Sequence, residues 1–315
     1  MKPYATLCVI PVALLLLFSA CGEQLPGASR ILSFRPLAAA TEPAEVHCGQ
    51  SFDISALAVN EDGGVARSAD YVWVLSDTTI DFRDPDQSAL DPSAFALGSV
   101  TRMTLPPEVP IDCDQGGRMY LFGLVARDLD LDALMDPATG GQALKDLLFS
   151  DTSRLMVKTL TLLPRDEADI NENPVIEQVE ATLPDNTVVT PLLATFPDPA
   201  VEGSVITVQD PGKKGSRTIH LKVSATDDRT GLYDLTTNWY ATREFVVINP
   251  MVVTNWTFPH WQDPATATLP EEMPPDLEDA LGDPNLHPVY VVARDGDEGM
   301  DWKGFFIRVT PPAAQ

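Results

Sequence analysis

Cysteine, histidine and positive charge are scarce in this chain. Among 315 residues there are four cysteines and four histidines, and 21 Lys+Arg stand against 46 Asp+Glu, a formal charge of −25. Such a surface repels a phosphate backbone and has no counterions to release from it, so nucleic acid is set aside as a partner. The acidic residues are spread along the chain, the pattern of a strongly solvated surface, with cation binding as the alternative. His47, His220, His260 and His287 occur singly and read as surface or rim residues. There is no H-E-x-x-H, no Cys/His metal spacing and no G-x-S-x-G elbow. Carboxylates are too numerous for a glycosidase pair to be chosen without knowing their separation in space. No catalytic residue is assigned, and the chain is read as a non-enzyme without a cofactor.

Long apolar runs are lacking too, except at the start. Lys2 is followed by "LCVIPVALLLLF" from Leu7 to Phe18 and then by small residues. Twelve apolar residues are too few to cross a hydrocarbon core of about 30 Å as a helix. The pattern marks residues 1–20 as a targeting segment. The closing "FSAC" resembles the lipobox of bacterial lipoproteins, two small residues before an invariant cysteine, although Phe18 stands where that family prefers Leu. The resemblance implies cleavage after Ala20, acylation of Cys21 with palmitate-type chains and a membrane anchor. Several chains on one residue would hold firmly, since each buried CH₂ contributes about 0.8 kcal/mol. Residue 22 is Gly and not the Asp that retains such proteins at the inner membrane, which implies the outer membrane.

Cys8 leaves with the targeting segment and Cys21 is the lipid site, so Cys48 and Cys113 remain. In an oxidising compartment a lone pair within one domain reads as a disulfide. The chain-entropy account assigns a loop of that length about 4 kcal/mol.

An internal repeat organises the rest. "LVARDLD" returns as "VVARDGD", with Arg127 and Arg294 an offset of 167 apart. "TLPPEVPID" from Thr104 matches "TLPEEMPPD" from Thr268 at six of nine positions, offset 164. Trp73 and Trp239, like Gly49 and Gly215, are 166 apart. Four landmarks in one order with near-constant spacing indicate a divergent duplication.

Within each copy the local signals are those of strands. In "TIHLKVSAT" Ile219, Leu221, Val223 and Ala225 alternate with polar residues, the period of two of a half-buried strand, and Phe305, Ile307 and Val309 alternate likewise. Turn-prone clusters such as "NEDGG" and "RDGDEG" separate the runs, and the 28 prolines cluster in connections.

The order "VHCGQSFDISALAVNEDGG…YVWVL…YLFGLVARD…LMVKTLTL", matched by "KKGSRTIHLKVSATDDRTG…NWYAT…VYVVARDGD…FFIRV", resembles bacterial immunoglobulin-like or PKD-like domains. The resemblance implies an all-β chain with two tandem antiparallel sandwiches and with Trp73 and Trp239 in the cores. The expected layout is a tether at 21–29, a first sandwich at 30–164, an acidic linker at 165–173 and a second sandwich at 174–315. The repeat exceeds the roughly 100 residues of the simple fold, so decorated loops or extra strands are expected. Cys48 before the second strand and Cys113 before the sixth would lie at one end of the first sandwich, where a bridge is feasible.

Three features are candidates for function. Neither Asp-rich echo has EF-hand spacing, because Ala133 or Gly299 stands where that loop needs a glycine or a ligand. An irregular calcium site using Asp295, Asp297, Glu298 and Asp301 stays open beside a plain solvated turn. Copy one alone inserts "LDLDALMDPATGGQALKDLLFSDTS", which puts Leu144, Leu147 and Leu148 on one helical face, either packed on its own domain or offered to a partner. "NWTFPHWQDP" gathers Trp256, Phe258 and Trp261, a core and rim cluster or a sugar- or peptide-stacking patch. The expected function is a non-catalytic adhesion, binding or scaffold module of the cell envelope with a protein or polysaccharide partner. The alternative is an accessory carbohydrate- or cation-binding protein of a surface enzyme system.

Overall fold

The alternation in "TIHLKVSAT" sends Ile219, Leu221, Val223 and Ala225 to one side of a strand, where all four are buried in a common core with Trp239, Phe305 and Ile307. The computed structural model describes residues 30–31, 33–67, 69–76, 95–105, 114–127, 129–136, 142–143, 146–147, 150–209, 218–228, 235–242, 246–248, 260–268, 283, 285–296 and 298–311. They form two β-sandwiches built mostly of antiparallel strands.

In the first sandwich a three-stranded sheet has the order β2 (Arg35–Glu42), β4 (Ser51–Val59), β7 (Val100–Thr104). It faces a sheet ordered β3 (Glu45–His47), β9 (Ser153–Leu163), β8 (Gly117–Arg127), β5 (Ala69–Ser76), β6 (Phe95–Leu97). In the second, the order β11 (Val188–Val189), β10 (Val175–Thr182), β13 (Thr218–Thr226), β16 (His260–Thr268), β15 (Val246–Ile248) faces β12 (Val205–Gln209), β18 (Met300–Thr310), β17 (Leu286–Arg294), β14 (Thr236–Thr242), β1 (Arg30–Ile31).

The larger sheet of the first domain and the Trp239-bearing sheet of the second have the same arrangement, β3-β9-β8-β5-β6 matching β12-β18-β17-β14-β1. Their edge strands β3 and β12 both run parallel to their neighbours. Three of the four repeat landmarks fall on equivalent places, and Gly215 of the fourth lies outside the described residues. Trp73 and Trp239 lie on β5 and β14, Arg127 and Arg294 end β8 and β17, and Thr104 and Thr268 end β7 and β16. Trp73 is fully buried, donates Nε1–H to Gly98 O at 2.9 Å and lies so close to Gly123 that a methyl there would collide with it. The lack of a side chain at 123 is what lets the ring fit between the sheets.

The two domains meet face to face. The outer side of the three-stranded sheet presents Leu37, Ala38, Ala40, Leu57 and Val59, and the outer side of the β14-β17-β18 layer presents Tyr240, Tyr290, Val292 and Trp302. This explains why the central strand β17 is buried on both faces, from Leu286 to Ala293. It also overturns part of the expected layout. Arg30 and Ile31, assigned by sequence to the first sandwich, pair in parallel with Ala241 and Thr242 of the second.

Candidate functional site: the interdomain joint

The second copy of the echo closes this joint. Between β17 and β18, Asp295 Oδ1 accepts from Gly299 N at 2.6 Å, and Asp295 N donates to Gly299 O at 3.2 Å. Residue 299 has to be glycine, because a Cβ would run into the Asp295 carboxylate and Pro174. Glu298 takes a left-handed backbone with φ 76°, a conformation side chains other than glycine seldom adopt. That turn presents the Glu298 carbonyl to the ammonium of Lys158, which donates to it from β9 of the other domain. The Glu298 carboxylate stands 3.9 Å from the same ammonium. Burial lowers the Lys158 pKa below its ordinary value, and this outweighs the opposing pull of Glu298 and Asp295. The side chain of Lys158 is only 4% exposed.

The segment expected to be a linker is built into the same place. Asn171, fully buried, donates its backbone N–H to Glu45 Oε2 at 2.9 Å and its amide to Asp295 Oδ2 at 3.1 Å. Asn173 donates to Thr41 O at 2.7 Å and to Glu42 Oε2 at 2.6 Å, and it accepts from Met300 N at 2.8 Å. Residues 171–173 thus bridge both domains, while Asp166, Glu167 and Asp169 stay exposed. Across the apolar part of the joint, Tyr290 donates its hydroxyl to Gly63 O at 2.7 Å, and burial raises its pKa. Trp302 Nε1 donates to Thr195 O at 3.1 Å.

These bonds decide what the acidic candidates do. Asp295 holds the turn and Asn171. Asp301 accepts from Ile176 N at 2.8 Å, Trp302 N at 2.8 Å and Lys303 Nζ at 2.9 Å. Asp297 lies outside the described residues. No group of three or more Asp, Glu, His or Cys that could hold a metal ion occurs among the described residues. In copy one the matching strand end differs. Arg127 bonds Asn60 at 2.8 Å and Glu61 at 2.5 Å and stacks 4.8 Å over the Phe34 ring, and the Arg127 guanidinium holds the Glu61 carboxyl below its ordinary pKa.

The inserted residues of copy one pack inward. Asp130 caps α1 (Leu131–Met135) by accepting from Ala133 N at 3.0 Å. Leu129, Leu131, Leu134 and Leu147 cover Val72 and Val74 of β5 and Phe122 and Leu124 of β8. Leu147, expected on a face that could meet a partner, is therefore packed on its own domain. Leu144 and Leu148 lie outside the described residues. Beside this cover, Leu97, Leu155 and Val157 remain exposed on the same face.

Other candidates are reached in part. Trp261 is held in β16 with its Cα opposite Ala225, while Trp256 and Phe258 lie outside the described residues. Cys21 and Cys113 also lie outside them, and Cys48 is half-buried against the first core. His287 is buried in β17 at 4% exposure, not at a rim as its isolation in sequence suggested.

Sequence reasoning missed Lys158, Glu45, Asn171, Asn173, Tyr290 and Gly63. One signal was present: along "RLMVKTLTL" Lys158 occupies an inward position in step with Met156, Leu160 and Leu162. A lysine in phase with core residues has to be buried or to leave through an opening.

No family model matches this sequence, and no curated protein matches it. Among solved structures, similar chains include Escherichia coli alpha-2-macroglobulin activated by porcine elastase, at 10% identity and a TM-score of 0.25, covering 90% of this chain and 23% of that one. A Salmonella alpha-2-macroglobulin variant follows at 11% identity and a TM-score of 0.23, covering 90% of this chain and 16% of that one. Dimeric latent PorU from Porphyromonas gingivalis has 9% identity and a TM-score of 0.22, covering 91% and 25%. The chain spans a quarter or less of each of these proteins.

Proposed function

We propose that this protein is a lipid-anchored module of the bacterial cell envelope, placed at the outer membrane through Cys21, that works by binding or scaffolding and not by catalysis. The observation that carries the reading is the sequence "FSAC" after a short apolar run, which supplies an anchor of the lipoprotein kind. The body behind it favours a binding role. Lys158 and Glu298 join the two domains, while Asp295 and Asp301 hold backbone and side-chain groups of the second domain in place. Groups engaged in this way serve architecture. The PKD-like assignment of the two sandwiches belongs to the same reading.

A Cys48–Cys113 disulfide fits it as well. Cys48 follows His47 of β3, which pairs with Leu163 of β9, and Gly117, four residues after Cys113, pairs with Leu162 of β9. The two segments therefore leave the sheet at one end, two strand spacings or about 10 Å apart, a gap four residues can span.

The test is metabolic labelling with palmitate, followed by fractionation and adherence assays on cells making the intact chain or Cys21→Ser. Label on the intact chain alone, with loss of envelope association and of adherence in the variant, supports the proposal. Equal label and equal partition of the two proteins sinks the anchor, and unchanged adherence with the anchor lost sinks the adhesion role.

A further inference from the structure

In the first sandwich the place beside the Trp73 strand is filled from within the domain, by β6 pairing antiparallel with Val72–Val74. In the second the corresponding place beside Trp239 is filled by β1, which precedes the whole first domain and runs parallel to β14. A parallel pair cannot be made by a tight turn, so the donor has to arrive from a distant part of the chain. Only residues 32–34 separate β1 from β2, so the chain passes straight from a sheet of one domain into a sheet of the other. Ile31 is fully buried in the apolar joint with Leu37, Leu57, Tyr240, Tyr290 and Trp302, and Phe34 is buried in the first core.

We infer that Arg30–Ile31 is a strap, a strand donated across the joint that completes the second sandwich and holds it docked on the first. The two sandwiches then behave as one body, and undocking them requires β1 to leave β14. Arg30–Ile31 lies at the joint itself and not at the far end of the first domain. Any pull on this strand loads the β1–β14 pairing first. This holds whether or not residue 21 carries a lipid.

Paired cysteines in the full-length chain test the contact. Ile31 and Thr242 are register partners, and neighbouring strands lie about 4.8 Å apart, within the span a disulfide bridges. Ile31→Cys with Thr242→Cys is expected to crosslink under mild oxidation, as a 31–242 linked peptide in mass spectrometry. Ile31→Cys with Thr236→Cys, at the far end of β14, is expected not to. Absence of the first crosslink in folded protein, or equal yield of both, overturns the strap.

Ile31→Asp gives a second reading by amide hydrogen exchange. Loss of a fully buried isoleucine is expected to speed exchange about tenfold or more at Tyr240–Thr242 and Val289–Val292, with β8 and β9 of the first sandwich unchanged. Faster exchange confined to residues 30–34 overturns the proposal.

Discussion

Replacing Lys158 by Met should make the protein's stability less dependent on alkaline pH. The ammonium sits in a 4% exposed position, facing the Glu298 carbonyl and carboxylate with Asp295 and Arg294 nearby. Burial depresses its pKa below 10.5 in the folded state, and the carboxylates offset this only in part. The unfolded chain therefore holds the Lys158 proton more tightly than the folded one. The penalty is full below the folded pKa, shrinks as pH rises and is gone above 10.5. Each unit of depression corresponds to about 1.4 kcal/mol. Methionine has similar length and no charge to desolvate. It forgoes a charge-assisted hydrogen bond of about 1.5–3 kcal/mol but escapes a desolvation cost of several kcal/mol. At pH 7 the variant should be more stable by about 1 kcal/mol, roughly 1–2 °C in Tm for a chain of this size. Urea unfolding of both proteins between pH 7 and 10.5, followed by tryptophan fluorescence, should show the advantage of methionine shrinking as pH rises. Other titrating groups, including Tyr71, whose pKa burial pushes up to about 12, are common to both chains and cancel in the difference. A difference that stays flat or grows with pH would refute the reasoning, since it would mean that attraction to Glu298 and Asp295 outweighs burial.

Trp73→Ala should cost about 3–5 kcal/mol by chemical denaturation, because the ring is fully buried and its Nε1–H satisfies Gly98 O. A loss under 1 kcal/mol would contradict its placement between the sheets. Gly63→Ala should loosen the joint and spare both cores. Gly63 has φ 81°, and an added Cβ would strike Pro288 and Thr242 of the other domain. Hydrogen exchange should rise at Leu37–Ala40 and Tyr290–Val292, and a rise in the Trp73 core instead would count against the reading. Leu134→Asp should peel the inserted helix from Val72 and Phe122, raise binding of a hydrophobic dye and cost about 1–3 kcal/mol. An unchanged dye signal and Tm would show that the helix does not cover this face. Millimolar calcium should leave Tm unchanged, because Asp295 and Asp301 are committed to backbone and side-chain donors. A calcium-dependent rise, lost in Asp295→Asn, would restore a cation site.

Much of the β architecture was legible along the chain because burial on one face writes a period of two into a strand. "TIHLKVSAT" and "FFIRV" carry that period, and Ile219, Leu221, Val223, Ala225, Phe305, Ile307 and Val309 face the core as expected. The repeat was legible for a similar reason. Trp73 and Trp239 fill equivalent spaces between sheets, and the threonines and arginines that end corresponding strands keep a nearly constant offset. The joint left a weaker trace. Its residues come from β1, β2, β4, the 171–173 segment, β9, β14, β17 and β18, and each taken singly looks like an ordinary polar turn or an apolar strand. "NEDGG" reads as a turn, yet Gly63 within it is needed to meet the tyrosine of another domain.

By itself the sequence determined the strand periodicity and the spacing of the repeated landmarks, since each is written in local residue order. Only the tertiary structure decided that the echo "VVARDGD" serves as a latch between domains, that the inserted helix covers its own sheet and that Arg30–Ile31 belongs to the second sandwich. The physical reason is that parallel pairing, buried charge and face-to-face packing join residues more than a hundred positions apart. Neighbours along the chain carry no record of those partners.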